Sequence, residues 1–313
     1  MSELCDIGLW GLAVMGQNFA LNMASHGFKV CVGNRTLSKV ETTVQRAKAE
    51  GDLPLYGSWS VEEFVAKLSK PRKVVILVMA GNPVDEIIAK LAEHLEPGDV
   101  IIDGGNEWYP NSIRRAEGLQ PKGIHFMGMG ISGGEEGARY GPSLMPGGPK
   151  ESYDSIAPIM KKCAAQVSDG PCVTYLGPIG AGNYVKMVHN GIEYGDMQLI
   201  SEVYDILKVR WSLRNESLRY EISMLVLLRE AIDSPWSFHS NSVVDSLKPM
   251  SCYASRKRIV CMTNQEMSET FTKWNEGELA SYLIEITSKI LAKKDDITGK
   301  GEVVDYVSTK SVQ

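Results

Sequence analysis

The sequence predicts an α/β fold: a doubly wound sheet with helices on both faces, followed by an all-helical part. Three observations carry this. A short apolar run at residues 4–9 passes into Gly11-Leu-Ala-Val-Met-Gly16 and then into a helical pattern. Further apolar runs at 73–79 and 100–103 alternate with helical stretches, as strands buried on both faces do. A long helical run at 182–208 then ends the alternation.

Composition sets the outer limits. The 313 residues can fill one large or two ordinary domains. They are 43% hydrophobic and 23% charged, as in globular proteins. A formal net charge of −5 gives no general attraction to nucleic acid. No uninterrupted apolar run approaches the roughly 20 residues of a membrane span, and no basic-then-apolar signal opens the chain. The six cysteines are scattered without a Cys-x-x-Cys pair and the five histidines are dispersed. The expectation is reduced thiols in a cytoplasmic setting and no metal.

The first unit reads strand, tight turn, helix to His26, strand at 29–32, the opening of a Rossmann-type dinucleotide site. Gly11 lets the chain turn, Ala13 is small enough for a pyrophosphate to approach, and Gly16 lets helix and strand pack. Leu12, Val14 and Met15 complete the turn, where amides and a helix dipole meet phosphates. A merely structural glycine turn is the alternative. The second strand ends at Asn34-Arg35-Thr36. An NAD site would place Asp or Glu near here for the ribose 2′-hydroxyl. An amide, a guanidinium and a hydroxyl suit the 2′-phosphate of NADP instead. The same residues also read as a helix start capped by Thr36 beside an exposed Arg35.

Helices follow at 37–50 and 61–68, the latter opened by a Ser60/Glu63 capping box. After the strand at 73–79, Asn82-Pro83 starts a helix ending near Gly98. After the strand at 100–103 come Gly104-Gly105-Asn106, a helix, and a strand near 125–129. Strand ends in such sheets face the ligand crevice, so Val78, Met79, Ala80 and Asn106 are candidate cofactor contacts; ordinary strand exits are the other reading. The glycine-rich stretch 130–148, with Ser132, Gly133 and Gly134, reads as a loop whose backbone donors approach a small anion, or as a connector. A helix at 151–166 and a strand at 172–176 complete this half. The domains are therefore drawn at 1–179 and 180–313.

In the long helix, Lys186, His189, Asn190 and Glu193 share one side, at offsets of zero, three, four and seven. Val188, Ile192, Leu199, Val203 and Ile206 fall opposite and read as a core face. A cation, an imidazole, an amide and a carboxylate in one stripe suit acid–base chemistry. They equally suit a solvated face.

Five ordered motifs then carry a resemblance: Gly11-Leu-Ala-Val-Met-Gly-Gln-Asn18, Asn34-Arg-Thr36, Ile101-Ile-Asp-Gly-Gly-Asn-Glu-Trp108, Ser132-Gly-Gly-Glu-Glu-Gly-Ala-Arg139 and Lys186-Met-Val-His-Asn-Gly-Ile-Glu-Tyr-Gly-Asp-Met-Gln198. Together they resemble 6-phosphogluconate dehydrogenase, the decarboxylating, NADP-dependent enzyme of the pentose phosphate pathway. The likeness runs through 1–209 and resumes from Thr263 to about Asp305. It implies Lys186 as the base taking the carbon-3 hydroxyl proton and Glu193 as the acid protonating carbon-1 of the enediol. It implies Asn106, Ser132, Gly133, Gly134, His189, Asn190 and Tyr194 around a phosphorylated sugar acid. It implies Gly11 to Gly16, Asn34 to Thr36, Val78 to Ala80 and Asn106 around NADP, and a homodimer.

The chain departs from the family in three places. Met79 stands where the family usually has Lys. Residues 210–262 have no counterpart in the resemblance; Trp211, Met224-Leu-Val-Leu-Leu228 and Arg256-Lys-Arg258 read as neither linker nor domain, as a retained intron would. The family's remaining helices, with the Lys and Arg residues that grip the substrate phosphate, lie beyond these 313 residues. Each charge-assisted contact is worth about 1.5–3 kcal/mol, so the expectation is NADP binding with little turnover. The rival readings are a non-catalytic NADP-binding protein and a related β-hydroxyacid dehydrogenase acting on a smaller acid.

Overall fold

The computed structural model describes residues 4–210 and 262–294. The segment 210–262 set apart above therefore lies almost wholly outside the described residues. So do the last residues of the family likeness.

Seven strands form one sheet: β1 (Ile7–Trp10), β2 (Val30–Gly33), β3 (Leu55–Gly57), β4 (Lys73–Ile76), β5 (Val100–Asp103), β6 (His125–Ser132) and β7 (Ser143–Gly147). Their order is β3-β2-β1-β4-β5-β6-β7. The first six are parallel and β7 pairs antiparallel to β6. This is the doubly wound order, with a switch point between β1 and β4. A two-stranded ribbon, β8 (Gln166–Val167) and β9 (Gly170–Pro171), lies apart from it.

Alternation along each strand builds two cores. Ile7, Leu9, Val30, Val32, Val75, Val100, Ile102, Met127 and Met129 belong to one. It is covered by α1 (Val14–Ser25), α2 (Leu37–Ala49), α6 (Gly134–Tyr140) and α7 (Lys150–Cys163). Trp10, Cys31, Val74, Ile76, Ile101 and Phe126 belong to the other, under α3 (Val61–Ala66), α4 (Asn82–Leu91) and α5 (Tyr109–Leu119). Each fully buried Val, Leu, Ile or Phe contributes about 1.5–3 kcal/mol. The two faces explain why these strands read as unbroken apolar runs. The predicted cap of α3 is present: Ser60 Oγ accepts from the Glu63 N–H, while the Glu63 carboxylate accepts the Trp59 N–H.

Two readings of the sequence are corrected. Residues 130–148 are not a loop: β6 runs on to Ser132, α6 follows, and β7 returns beside β6. Residues 172–176 are not a strand; only Val173 bridges to Leu144. The glycines were misread because antiparallel pairing uses backbone groups, and a missing side chain does not prevent it.

The long helix α8 runs Ala181–Arg210. The chain divides into two compact units within it, Met1–Ile192 and Glu193–Gln313. Its first turns belong with the sheet because they rest on β6 and β7, as described below. In the second unit Val203 and Leu207 join Met267, Phe271 and Leu291 in a small core with α9 (Asn264–Asn275) and α10 (Tyr282–Ala292). Thr263 and Glu266 cap α9 reciprocally.

Candidate active site

The glycine turn between β1 and α1 is held from two sides. Gly11 has φ +110°, and its N–H donates to the Gly33 carbonyl at 2.9 Å. A Cβ on Gly11 would strike the Leu77 carbonyl and come 2.9 Å from Val78 Cγ1. A Cβ on Gly16 would fall on the Gly11 carbonyl oxygen. The turn therefore closes only on glycine, directly against the exit of β4 at the switch point. Ala13, the N-cap of α1, makes no side-chain cap bond, and the first turn holds no acidic residue. Such a helix start keeps amide donors and a positive dipole end for phosphates. The cradle fits a dinucleotide pyrophosphate.

Asn34 has a bracing role in this arrangement. Its Oδ1 accepts the Leu12 N–H at 2.9 Å and its Nδ2 donates to the Thr36 carbonyl at 3.0 Å. The amide fixes the glycine turn to the corner that presents Arg35 and Thr36, both exposed.

The exits of β4 and β5 are tied together by a buried ion cluster. Arg115 of α5 has a side chain 1% exposed. Its Nη1 donates to Glu107 at 2.6 Å and Asp103 at 3.3 Å; its Nε donates to Asp85 at 2.9 Å; its Nη2 donates to the Gly81 carbonyl at 2.9 Å. Glu107 in turn accepts the N–H groups of Gly81 and Trp108 and the amide of Asn111, each at 2.9 Å. Burial works against the charge on Glu107, but the donors from Asn111, Gly81, Arg115 and Trp108 prevail and hold its pKa down at about 2. Asp103 is deeper. Burial pushes it up to about 6, although the Gly105 N–H and Arg115 favour its charge.

A seam without side chains joins α8 to β6 and β7. A Cβ on Gly182 would strike the Gly128 and Met145 carbonyls, and one on Gly147 would strike the Gly182 amide. A Cβ on Gly130 would lie 2.5 Å from Lys186 Cβ. Close approach buries Lys186 to 7% exposure at the carboxyl end of β6, two residues before Ser132. Asn183, one turn earlier, accepts from Ser112 Oγ at 2.7 Å and donates to the Gly105 carbonyl at 3.5 Å. It thus links the start of α8 to the loop that carries Asn106.

This corrects the reading of the helix faces. Val188 is 43% and Ile192 59% exposed, while the Lys186 side is packed in the first turns of α8. Periodicity assigned the core to the apolar stripe, but the sheet offers a groove of glycines that takes the lysine stem. The apolar face reaches a core only further on, at Val203.

The first unit thus gathers the glycine turn, Val78, Met79 and Ala80, Asn106, and Ser132 with Gly133 and Gly134 at the carboxyl ends of its strands, with Lys186, His189 and Asn190 on α8. Met79 is 76% exposed, and Val14 and Asn106 are exposed too. His189 Nδ1 lies 3.2 Å from Asn190 Oδ1. Glu193 and Tyr194 follow on the same helix and belong to the second unit. The sequence reading missed Arg115, Glu107, Asp103 and Asn183. Glu107 stood inside a quoted motif, but an arginine at helical spacing reads as surface. Among the described residues, no group of three or more His, Cys, Asp or Glu could hold a metal, and no helix is long and apolar enough to cross a membrane.

Fold and site together define a Rossmann-type dinucleotide-binding protein whose sheet is followed by a helical region with a buried lysine at its start. Two family models match: the NAD binding domain of 6-phosphogluconate dehydrogenase over residues 6–177, and the 6-phosphogluconate dehydrogenase C-terminal domain over 182–222 and 250–313. The chain belongs to the 6-phosphogluconate dehydrogenase family. The second match skips 223–249, a narrower stretch within the 210–262 set apart above. The chain is 49% identical over 310 residues to a chloroplastic, decarboxylating 6-phosphogluconate dehydrogenase of Arabidopsis thaliana, covering 99% of this chain and 53% of that one. It is 45% identical over 308 residues to an NADP(+)-dependent, decarboxylating 6-phosphogluconate dehydrogenase of Bacillus subtilis, covering 98% and 54%. Among solved structures, Plasmodium falciparum 6-phosphogluconate dehydrogenase, described in its apo form and with NADP+ and with 6-phosphogluconate, superposes with a TM-score of 0.75. Identity there is 50%, over 97% of this chain and 54% of that one. The chain spans about half the length of the curated relatives it matches.

Proposed function

We propose that this chain binds NADP at the glycine turn and carries the reacting residues for oxidative decarboxylation of 6-phosphogluconate. The observation that carries the reading is the burial of Lys186 against Gly130, at the same carboxyl edge of the sheet as the glycine turn. Gly11, Leu12, Ala13, Val14, Met15 and Gly16 hold the pyrophosphate. Arg35, with Thr36, meets the 2′-phosphate as Asn34 braces them. Val78, Met79, Ala80 and Asn106 line the cofactor further along.

Bound NADP supplies the hydride acceptor. Lys186 takes the proton of the carbon-3 hydroxyl as the hydride leaves carbon-3. The resulting β-keto acid loses carbon dioxide, its ketone accepting the electron pair. Protonated Lys186 then donates a hydrogen bond to the developing oxyanion. Glu193, two helical turns on, protonates carbon-1 of the enediol. Asn106, Ser132, Gly133, Gly134, His189, Asn190 and Tyr194 hold the substrate. A cytoplasmic setting is proposed from the free thiols of Cys5, Cys31, Cys163 and Cys172. Plastid targeting, as in the chloroplastic relative, is the alternative that a fluorescent fusion would separate.

The test pairs binding with turnover. Lys186→Met is expected to keep the wild-type affinity for NADP while the small NADPH formation of the wild-type chain from 6-phosphogluconate drops to background. Arg35→Ala is expected to weaken NADP about tenfold or more, a loss of one charge-assisted contact, and to leave NAD binding unchanged. Wild-type NADPH formation by Lys186→Met would sink the assignment of the base. Equal loss of NADP and NAD in Arg35→Ala would sink that of the 2′-phosphate contact.

A further inference from the structure

We propose that Arg115 is a positioning residue for the cofactor, acting through Gly81 and Glu107 to set the two loops that line the NADP site; this rests on the NADP reading above.

Arg115 touches no candidate ligand contact itself. Its side chain is buried beneath them, and two of its donors end on different loops. Nη2 holds the Gly81 carbonyl and Nη1 holds Glu107, which accepts the N–H of the same Gly81. Both peptide groups of Gly81 are thereby pinned, at φ +89°, where the chain passes from Val78, Met79 and Ala80 into α4. On the other loop, Asn106 lies between two fixed neighbours. Glu107 is held by Arg115, and the Gly105 N–H is held by Asp103 at 3.0 Å. Asn106 itself stays exposed. One guanidinium therefore sets the spacing between the β4 and β5 exits.

Stability alone accounts poorly for this cluster. A buried charge set is often no more stabilising than well-packed apolar residues of the same volume, because desolvation offsets the attraction. What the guanidinium supplies is direction. Its planar fork reaches a carboxylate and a carbonyl at once, and a lysine ammonium in its place would satisfy one of them. Sites of this kind lose function when supporting contacts leave a contact residue loose. Asp85 and Arg114 complete the cluster at its exposed side, with Arg114 Nη2 3.0 Å from Asp85.

The experiment uses the full chain and three readouts: the NADP dissociation constant, the thermal melting temperature, and amide hydrogen exchange. Arg115→Lys is expected to weaken NADP about tenfold in a chain that still melts cooperatively, at a lower temperature because a buried acceptor is left unpaired. Exchange is expected to quicken at residues 77–81 and 104–107 and nowhere else in the sheet. Unchanged NADP affinity in a folded Arg115→Lys variant overturns the proposal. Faster exchange throughout the sheet also overturns it, since that marks a merely structural role. Should Arg115→Lys fail to fold, Glu107→Gln keeps the shape, and the same pattern at 77–81 is required of it. A wild-type chain that binds no NADP overturns the cofactor reading and this proposal with it, whereas wild-type binding matched by both variants overturns this proposal alone.

Discussion

Gly130 shows how much a single hydrogen in place of a side chain decides. Its Cβ would stand 2.5 Å from Lys186 Cβ and 2.9 Å from Cγ, with no lateral room for the buried lysine stem. Gly130→Ala is expected to cost about 1–3 kcal/mol, as overpacking does. It should lower the urea midpoint at unchanged slope. A wild-type midpoint would show that the helix yields freely. The residue types of the site were legible in the sequence, and their surroundings were not. Gly11 and Gly16 declare themselves by spacing, because a turn from strand to helix leaves few alternatives. Lys186 was legible as a motif member, but its burial was not, because the glycine that makes room for its stem, Gly130, lies on a strand far back in the sequence. Arg115 left no signal, since a buried guanidinium and a surface one have the same spacing along a helix.

At the scale of the element, α5 works as a brace. Asn111, Ser112 and Arg115 project from one side of it to Glu107, Asn183 and Gly81. Its charges set opposite pH dependences. Glu107, held at about 2, contributes stability that is complete above the ordinary value of 4.5 and is lost as pH falls toward 2. Asp103 runs the other way. The folded state keeps its proton up to about 6 while the unfolded chain releases it from 3.8, so stability falls as pH rises through that window and is level above it. Because the carboxylates share one guanidinium, they titrate as a set. Urea midpoints taken across this window should fall with pH in the wild type more steeply than in Asp103→Asn. Parallel curves would reject the assignment. Element existence was mostly legible: β1, β2, β4, β5, α1, α2 and α8 lie close to where pattern and capping put them. The miss at 130–148 has a physical origin. Strand pairing is carried by peptide groups, and a run of glycines hides its period because there are no side chains to alternate.

For the molecule as a whole, the sheet covered on both faces makes the ligand crevice a rim of loop backbone on a rigid base. Ligand that binds only the folded state should therefore stabilise the chain by mass action. NADP at about one hundred times its dissociation constant is expected to add about 2.7 kcal/mol to unfolding, visible as a rise in melting temperature. NAD at the same concentration should add much less. Equal shifts with both would contradict the reading of Arg35. The contact between α8 and the sheet has a consequence for redesign. Where Gly182 meets Gly128 and Gly147, peptide planes rest on peptide planes, and this part of the attachment does not depend on what the helix displays on its other flank. Val185, Met187 and Val188 lie on that outward flank and are all exposed, whereas Tyr184 packs edge-on against Tyr109 of α5. A library diversified at Val185, Met187 and Val188 would leave the lysine stem anchored, giving protein engineers a way to alter that flank of the helix without disturbing its seat on the sheet.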